Sequence, residues 1–178
     1  MKWMIASDIH GSAKYCKLMV QRFMEEKAEK LLLLGDILYH GPRNDLPIEY
    51  APKQVIEMLN PLKDKILCVR GNCEAEVDQM VLEFPVMAEY IIVDFDGKAA
   101  YITHGHHFNP SSSFAGVKNY YLINGHTHVS ANKEYDDFTY LNPGSVSLPK
   151  EGTPHSYMIY EDGHFTWKDL ITSKEYKV

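Results

Sequence analysis

Lys2-Trp3-Met4-Ile5-Ala6-Ser7-Asp8-Ile9-His10-Gly11-Ser12 decides how the rest of the chain is read. Residues 2–7 are short and apolar, the mark of a buried strand. A carboxylate and an imidazole, Asp8 and His10, follow at once, and Ser12 is a good N-cap for a helix reaching about Glu26. Tyr15, Met19 and Phe23 recur at i+4 and give that helix an apolar stripe. A strand that ends in ligand-type side chains and turns into a helix is the opening of an α/β fold, where sites form at the carboxyl ends of strands.

The arrangement recurs along the chain. Leu31–Leu34 is a second apolar run stopped by Gly35-Asp36, and four residues are too few for a helix. Ile66–Val69 is a third, followed by Arg70-Gly71-Asn72-Cys73. Between them, residues 40–52 are rich in Pro, Gly, Asn and Asp and read as a long loop. A helix is expected from Pro52 to Leu59, with proline suited to its first turn, and a short one within Glu74–Phe84. Asp96-Gly97 between Ile91–Phe95 and Ala99–Thr103 signals a hairpin. Tyr120–Ile123, Ala131–Tyr135, Phe138–Leu141, Ser156–Tyr160 and His164–Leu170 are further strand candidates. The expectation is two packed sheets with helices outside, in a single domain over 1–178.

Five polar stations thus follow five strands: Asp8/His10, Asp36, Asn72, His104 in Thr103-His104-Gly105-His106, and His126/His128 in Gly125-His126-Thr127-His128. In an extended segment residues two apart face the same way, so Asp8 would join His10 and His126 would join His128. Glycines at 11, 35, 71, 105 and 125 would allow tight turns beside them. Oxygen and imidazole donors without thiolate suit manganese, iron, cobalt, nickel or zinc. Seven donors exceed what one tetrahedral zinc takes, and two ions sharing a carboxylate would use them all. Taken singly, Asp8 could cap the following helix, and Asp36 and Asn72 could be turn residues.

The 178 residues carry a formal charge of −6, with 45% hydrophobic and 24% charged residues. That composition is ordinary for a globular domain and lacks the basic stripe of a stable nucleic-acid binder. No apolar run approaches a membrane span. Three cysteines without a CxxC pair point to a reducing cytoplasm. The HxHxDH, HExxH and GxxxxGK[ST] patterns of other hydrolases are absent.

In order, Asp-x-His, Gly-Asp, Gly-Asn, Gly-His and Gly-His-x-His resemble the calcineurin-like metallophosphoesterases over essentially the whole chain. The resemblance implies a four-layer αββα sandwich of two mixed sheets. It implies that Asp8, His10 and His128 hold one divalent ion and Asn72, His104 and His126 another, with Asp36 bridging. It further implies manganese as the usual metal, a homo-oligomer (dimer or tetramer), and hydrolysis of a small phosphodiester by water activated between the two ions. Such pairs lower the pKa of water and clamp phosphate oxygens, so no protein nucleophile is required. A monoesterase or nucleotidase of the same fold is the nearest enzymatic alternative. A protein-binding scaffold like the vacuolar-sorting subunit is the non-catalytic one.

Besides the ligands, Asn72, Arg43, His40 and His106 are candidates for contact with substrate. The family's Gly-Asn-His-Glu/Asp reads Gly71-Asn72-Cys73-Glu74 here. The missing histidine commonly protonates the leaving group. A thiol is a poorer acid near neutrality, so preference for acidic leaving groups is expected, with Cys73 in the catalytic set beside Asp36 and Asn72.

Overall fold

The computed structural model describes residues 1–178. Eleven strands and three α-helices succeed one another as β1 (Trp3–Ala6), α1 (Ala13–Glu25), β2 (Lys30–Leu33), α2 (Pro52–Leu59), β3 (Ile66–Cys68), α3 (Glu76–Val81), β4 (Ile91–Phe95), β5 (Lys98–Ile102), β6 (Tyr120–Ile123), β7 (Ser130–Glu134), β8 (Phe138–Pro143), β9 (Ser156–Glu161), β10 (His164–Asp169) and β11 (Glu175–Tyr176). A 3₁₀ turn at Asn60–Lys65 and β11 had no clear sequence signal; the other expected elements form within a few residues of their expected ends. Ser12, not Asp8, caps α1: its hydroxyl accepts from the Tyr15 N–H at 3.4 Å. The hairpin turn has both Asp96 and Gly97 at positive φ (53° and 88°), as an Asp-Gly I′ turn requires.

One sheet runs β11-β10-β9-β1-β2-β3 and the other β4-β5-β6-β8-β7. β1, β2 and β3 are mutually parallel, as are β5, β6 and β8, while antiparallel β9 and β4 flank them. The sheets therefore do not follow the two halves of the sequence. β9 to β11 return to join the first sheet, and β1 sits in its middle.

Three apolar layers hold this arrangement. Alternate residues of the central strands face α1 and α2 (Met4, Leu31, Leu33 with Met19, Phe23, Val55). Their neighbours face the other sheet (Ile5, Leu32, Leu34 with Ile102, Ile123, Leu141). Leu31 to Leu34 are at most 1% exposed. Burial of each is worth about 1.5–3 kcal/mol, which outweighs leucine's helical preference of less than about 1 kcal/mol. On the outer face of the second sheet, Tyr120, Leu122, Phe138 and Tyr140 are covered by Phe114 and Val117. These belong to a 106–119 segment without helix. No helix is long and apolar enough to cross a membrane.

Candidate metal centre

Because β1 to β3 and β5, β6 are parallel within their sheets, the segments after them gather at one edge of the sandwich, where all seven expected residues lie. They do not reach it as extended segments. Asp8 (φ 59°), His10 (49°), Asp36 (54°), His126 (65°) and His128 (61°) are all left-handed, an uncommon state for residues with a side chain. Each such kink costs on the order of 1–3 kcal/mol and persists only where its surroundings impose it. Among the nearby glycines, Gly11, Gly35 and Gly105 have positive φ. Gly71 and Gly125 serve differently. A Cβ at Gly71 would overlap Asp36 Oδ1, and one at Gly125 would overlap Ser7 Oγ and Asp8 Oδ2.

Hydrogen bonds fix the rings. Nδ1 of His10 lies 2.8 Å from the Tyr39 carbonyl oxygen, that of His104 2.7 Å from Leu34, and that of His128 2.7 Å from Leu148. A carbonyl only accepts, so each Nδ1 carries the proton and the neutral ring turns an Nε2 lone pair inward. Those lone pairs meet other acceptors. His10 Nε2 and His128 Nε2 are 3.2 Å apart. His104 Nε2 is 3.1 Å from Asn72 Oδ1, 3.2 Å from His126 Nδ1 and 3.4 Å from Asp36 Oδ2. Asp36 Oδ2 is also 3.7 Å from His10 Nε2. Asp8 Oδ1, 3.2 Å from His128 Nε2, is buried with no hydrogen-bond donor. Converging acceptors with an orphaned carboxylate oxygen demand positive charge between them, and this donor set fits divalent ions. The Cys73 sulfur also comes within 4.8 Å of ligand atoms of His10 and Asp36.

Without an ion, protons must supply that charge. Burial works against a charged His104, but the hydrogen bond to Asp36 and the Asp8 and Asp36 charges raise its pKa to about 9. Burial would raise Asp8, yet His10 and His128 hold it well below the usual carboxylate range. His126 is lowered by burial and by the charge of His104.

The seven positions are braced by residues that sequence reading undervalued. Glu74, 4% exposed, accepts from the N–H groups of Asp36 (2.9 Å), Ile37 (2.7 Å) and Gly71, tying the loops after β2 and β3 together. Burial and the nearby Asp36 charge raise its pKa to about 7. Ser145 and Ser147 hydroxyls donate to the Asp8 carbonyl at 2.9 and 3.0 Å, and the Asn142 amide donates to Gly125 O at 2.8 Å. Asn142 at the end of β8 and Ser145 just after it thus clamp two ligand loops.

The centre opens into a cleft of about 320 Å³ lined by Asp36, Asn72, Cys73, His126, Arg43 and Lys150, among others. Lys150 had no motif around it and was missed. Neither His40 nor His106 is among the lining residues. His40 packs edge-on against Tyr39 and Tyr50. His106 sits with its ring centroid 5.4 Å from that of His104, its pKa lowered to about 4 by burial and the charges of His104 and His107. With His107 and Glu89 it forms a separate cluster. Cys73 is half-buried; burial and the Asp36 charge push its thiol well up, so it is neutral.

Residues 1–162 match the model of the calcineurin-like phosphoesterase superfamily domain, and the chain belongs to that superfamily. It is 46% identical to phosphodiesterase YfcE of Escherichia coli K12, over 91% of this chain and 88% of that protein. The solved structure of E. coli YfcE, a phosphoesterase, superposes with a TM-score of 0.96 at 41% identity, covering 99% and 97% of the two chains. Phosphodiesterase MJ0936 of Methanocaldococcus jannaschii is 26% identical over 86% of this chain and 89% of its own. Zinc-complexed Vps29 of Entamoeba histolytica, at 18% identity and TM-score 0.64 over 99% and 96%, shares the fold.

Proposed function

We propose that this chain is a metal-dependent phosphodiesterase acting on small phosphoric diesters. The observation that carries the reading is the set of inward lone pairs on His10, His104 and His128, facing one another and the orphaned Asp8 Oδ1. Asp8, His10 and His128 would hold one divalent ion and Asn72, His104 and His126 a second, with Asp36 shared. When bound, the pair supplies a water of lowered pKa and positive charge toward phosphate oxygens. The relatives named phosphodiesterases support the substrate class.

The chain's own side chains complete the assignment. Arg43 and Lys150 bring cations to the mouth of the cleft and draw in an anionic ester against the overall negative charge. Asn72, exposed and directed by its amide contact with Cys73 Sγ at 3.3 Å, turns its oxygen to the centre and its edge to substrate. The neutral Cys73 thiol faces the same cleft and is a weak acid, which favours esters whose leaving alcohol needs little protonation. Manganese is the metal proposed, on the resemblance. The whole chain is read as one catalytic unit and the unpaired cysteines as fitting the cytoplasm. Exposed Leu46, Ile48, Met80 and Val81 support self-association.

A manganese-supplemented screen of chromogenic diesters and monoesters tests this, run beside Asp36→Asn and His126→Ala. Diester turnover that needs the metal and drops in both variants is expected. Turnover equal in all three proteins would mean a contaminant, and none with any divalent ion would favour the scaffold reading.

A further inference from the structure

A second depression adjoins the metal cleft and differs from it in character. Leu38, Tyr39, Tyr50, Ala75 and Val77 line about 320 Å³ of largely apolar surface, and Cys73 is the residue it shares with the metal cleft. One wall of the metal centre is therefore also the end wall of an apolar groove. The two tyrosines come from the loop after β2 and Val77 from α3. Tyr39 and Val77 are 42% and 60% exposed, so the groove offers a ligand apolar side chains that the fold leaves uncovered. The His40 ring, packed against both tyrosines, holds them as a stiff aromatic wall.

We propose that this groove is the subsite for the organic group of the ester on the Cys73 side of the phosphate, and that it takes an aromatic or similarly flat apolar group. The inference deepens the phosphodiesterase reading and rests on it. Continuity selects the occupant: a group bonded to a phosphate in the cleft and directed past Cys73 has the groove as its next surface. The lining selects its chemistry. Tyrosine faces and aliphatic side chains reward flat apolar surface, and the carboxylate present, Asp78, is 9% exposed and already accepts from the Ala75 N–H at 2.9 Å. An anionic or strongly polar group would be desolvated there without a partner. The groove therefore separates the two ester arms: the cationic side of the cleft, Arg43 and Lys150, faces one, and the aromatic wall faces the other.

The test is calorimetric titration of manganese-loaded protein with phenylphosphonate and methylphosphonate, inhibitors that differ only in the group offered to the groove. Phenylphosphonate is expected to bind about tenfold tighter, the return on burying most of one ring face. Ala75→Lys and Val77→Lys, both at exposed positions lining the groove, should each reduce that ratio to about two- to threefold while methylphosphonate affinity holds. With diamagnetic zinc in place of manganese, nuclear Overhauser effects between phenyl protons and the Val77 methyls should appear in the parent protein. Equal affinity for the two phosphonates overturns the groove and leaves the phosphodiesterase reading standing. So does an unchanged ratio in both variants, or a Val77→Lys protein that falls to a smaller oligomer with the ratio intact, which would make the groove a subunit contact. Absence of binding by either phosphonate overturns the phosphoesterase reading and the subsite with it.

Discussion

The two halves of the candidate metal centre are built differently. Asp8, His10 and His128 are 0–3% exposed, and both rings are pinned through Nδ1 to backbone carbonyls. Opposite them, His104 is equally buried and pinned, but Asn72 is exposed and His126 half-buried, and the Asn72 amide is steadied by the sulfur of Cys73. The first half is buried throughout; in the second only His104 is, and Asn72 and His126 line the cleft, where His128 joins them. The difference teaches where binding and where turnover are controlled. Pre-set donors hold an ion tightly because little ordering is left to do, whereas an open half leaves room for a phosphate oxygen.

Asp36 Oδ2 lies between the halves, 3.7 Å from His10 Nε2 and 3.4 Å from His104 Nε2, so its loss should be the most damaging. Asp36→Asn is expected to lower diester turnover on the order of a thousandfold, about 4 kcal/mol of barrier, and to weaken both ions. Metal counting by atomic absorption checks the second point: loss of one ion only would show that the halves are independent. Next come the paired variants His128→Ala and His126→Ala. The first should lose its ion even in excess manganese. The second should lose roughly 10–100-fold in turnover at low metal and recover part of it when manganese is raised; equal rescue of both would break the comparison.

A smaller effect concerns pH. The folded, metal-free protein holds the His104 proton with a pKa of about 9, against an ordinary value of 6.5. That interaction is fully present below about pH 6.5 and is lost as pH rises through 9. The metal-free melting temperature should therefore fall between those values, and metal loading, which displaces the proton, should be stronger at the high end. Scanning calorimetry at pH 6.5 and 9, with and without manganese, reads the crossing. The smallest expected change is in Cys73→His. An imidazole there should flatten the dependence of rate on leaving-group pKa across a series of aryl and alkyl diesters, and an unchanged slope would remove Cys73 from the leaving-group side.

The apolar strand runs and the residues just after them were legible in sequence, because burial of Leu31–Leu34 and the order of the ligand motifs are local signals. How the ligands converge was not. The extended i, i+2 geometry expected for Asp8/His10 and His126/His128 is replaced by left-handed kinks, which only the surrounding loops can impose. Glu74, Lys150 and the groove beside Cys73 depend on segments far apart in sequence meeting at one edge, and no window of the chain records that. The same holds for the outer layer over the second sheet, supplied by the 106–119 segment.

The central seat of β1, paired on one flank with β2 and on the other with β9 (Trp3 opposite Tyr160, Ile5 opposite Met158), sets a timetable for synthesis. At about 5–20 residues per second, the ribosome needs roughly six to twenty-five seconds between making one partner and the other. For that interval β1 of the nascent chain has one unpaired edge. The edge of β1 that β9 covers is therefore completed only when translation has nearly run its course.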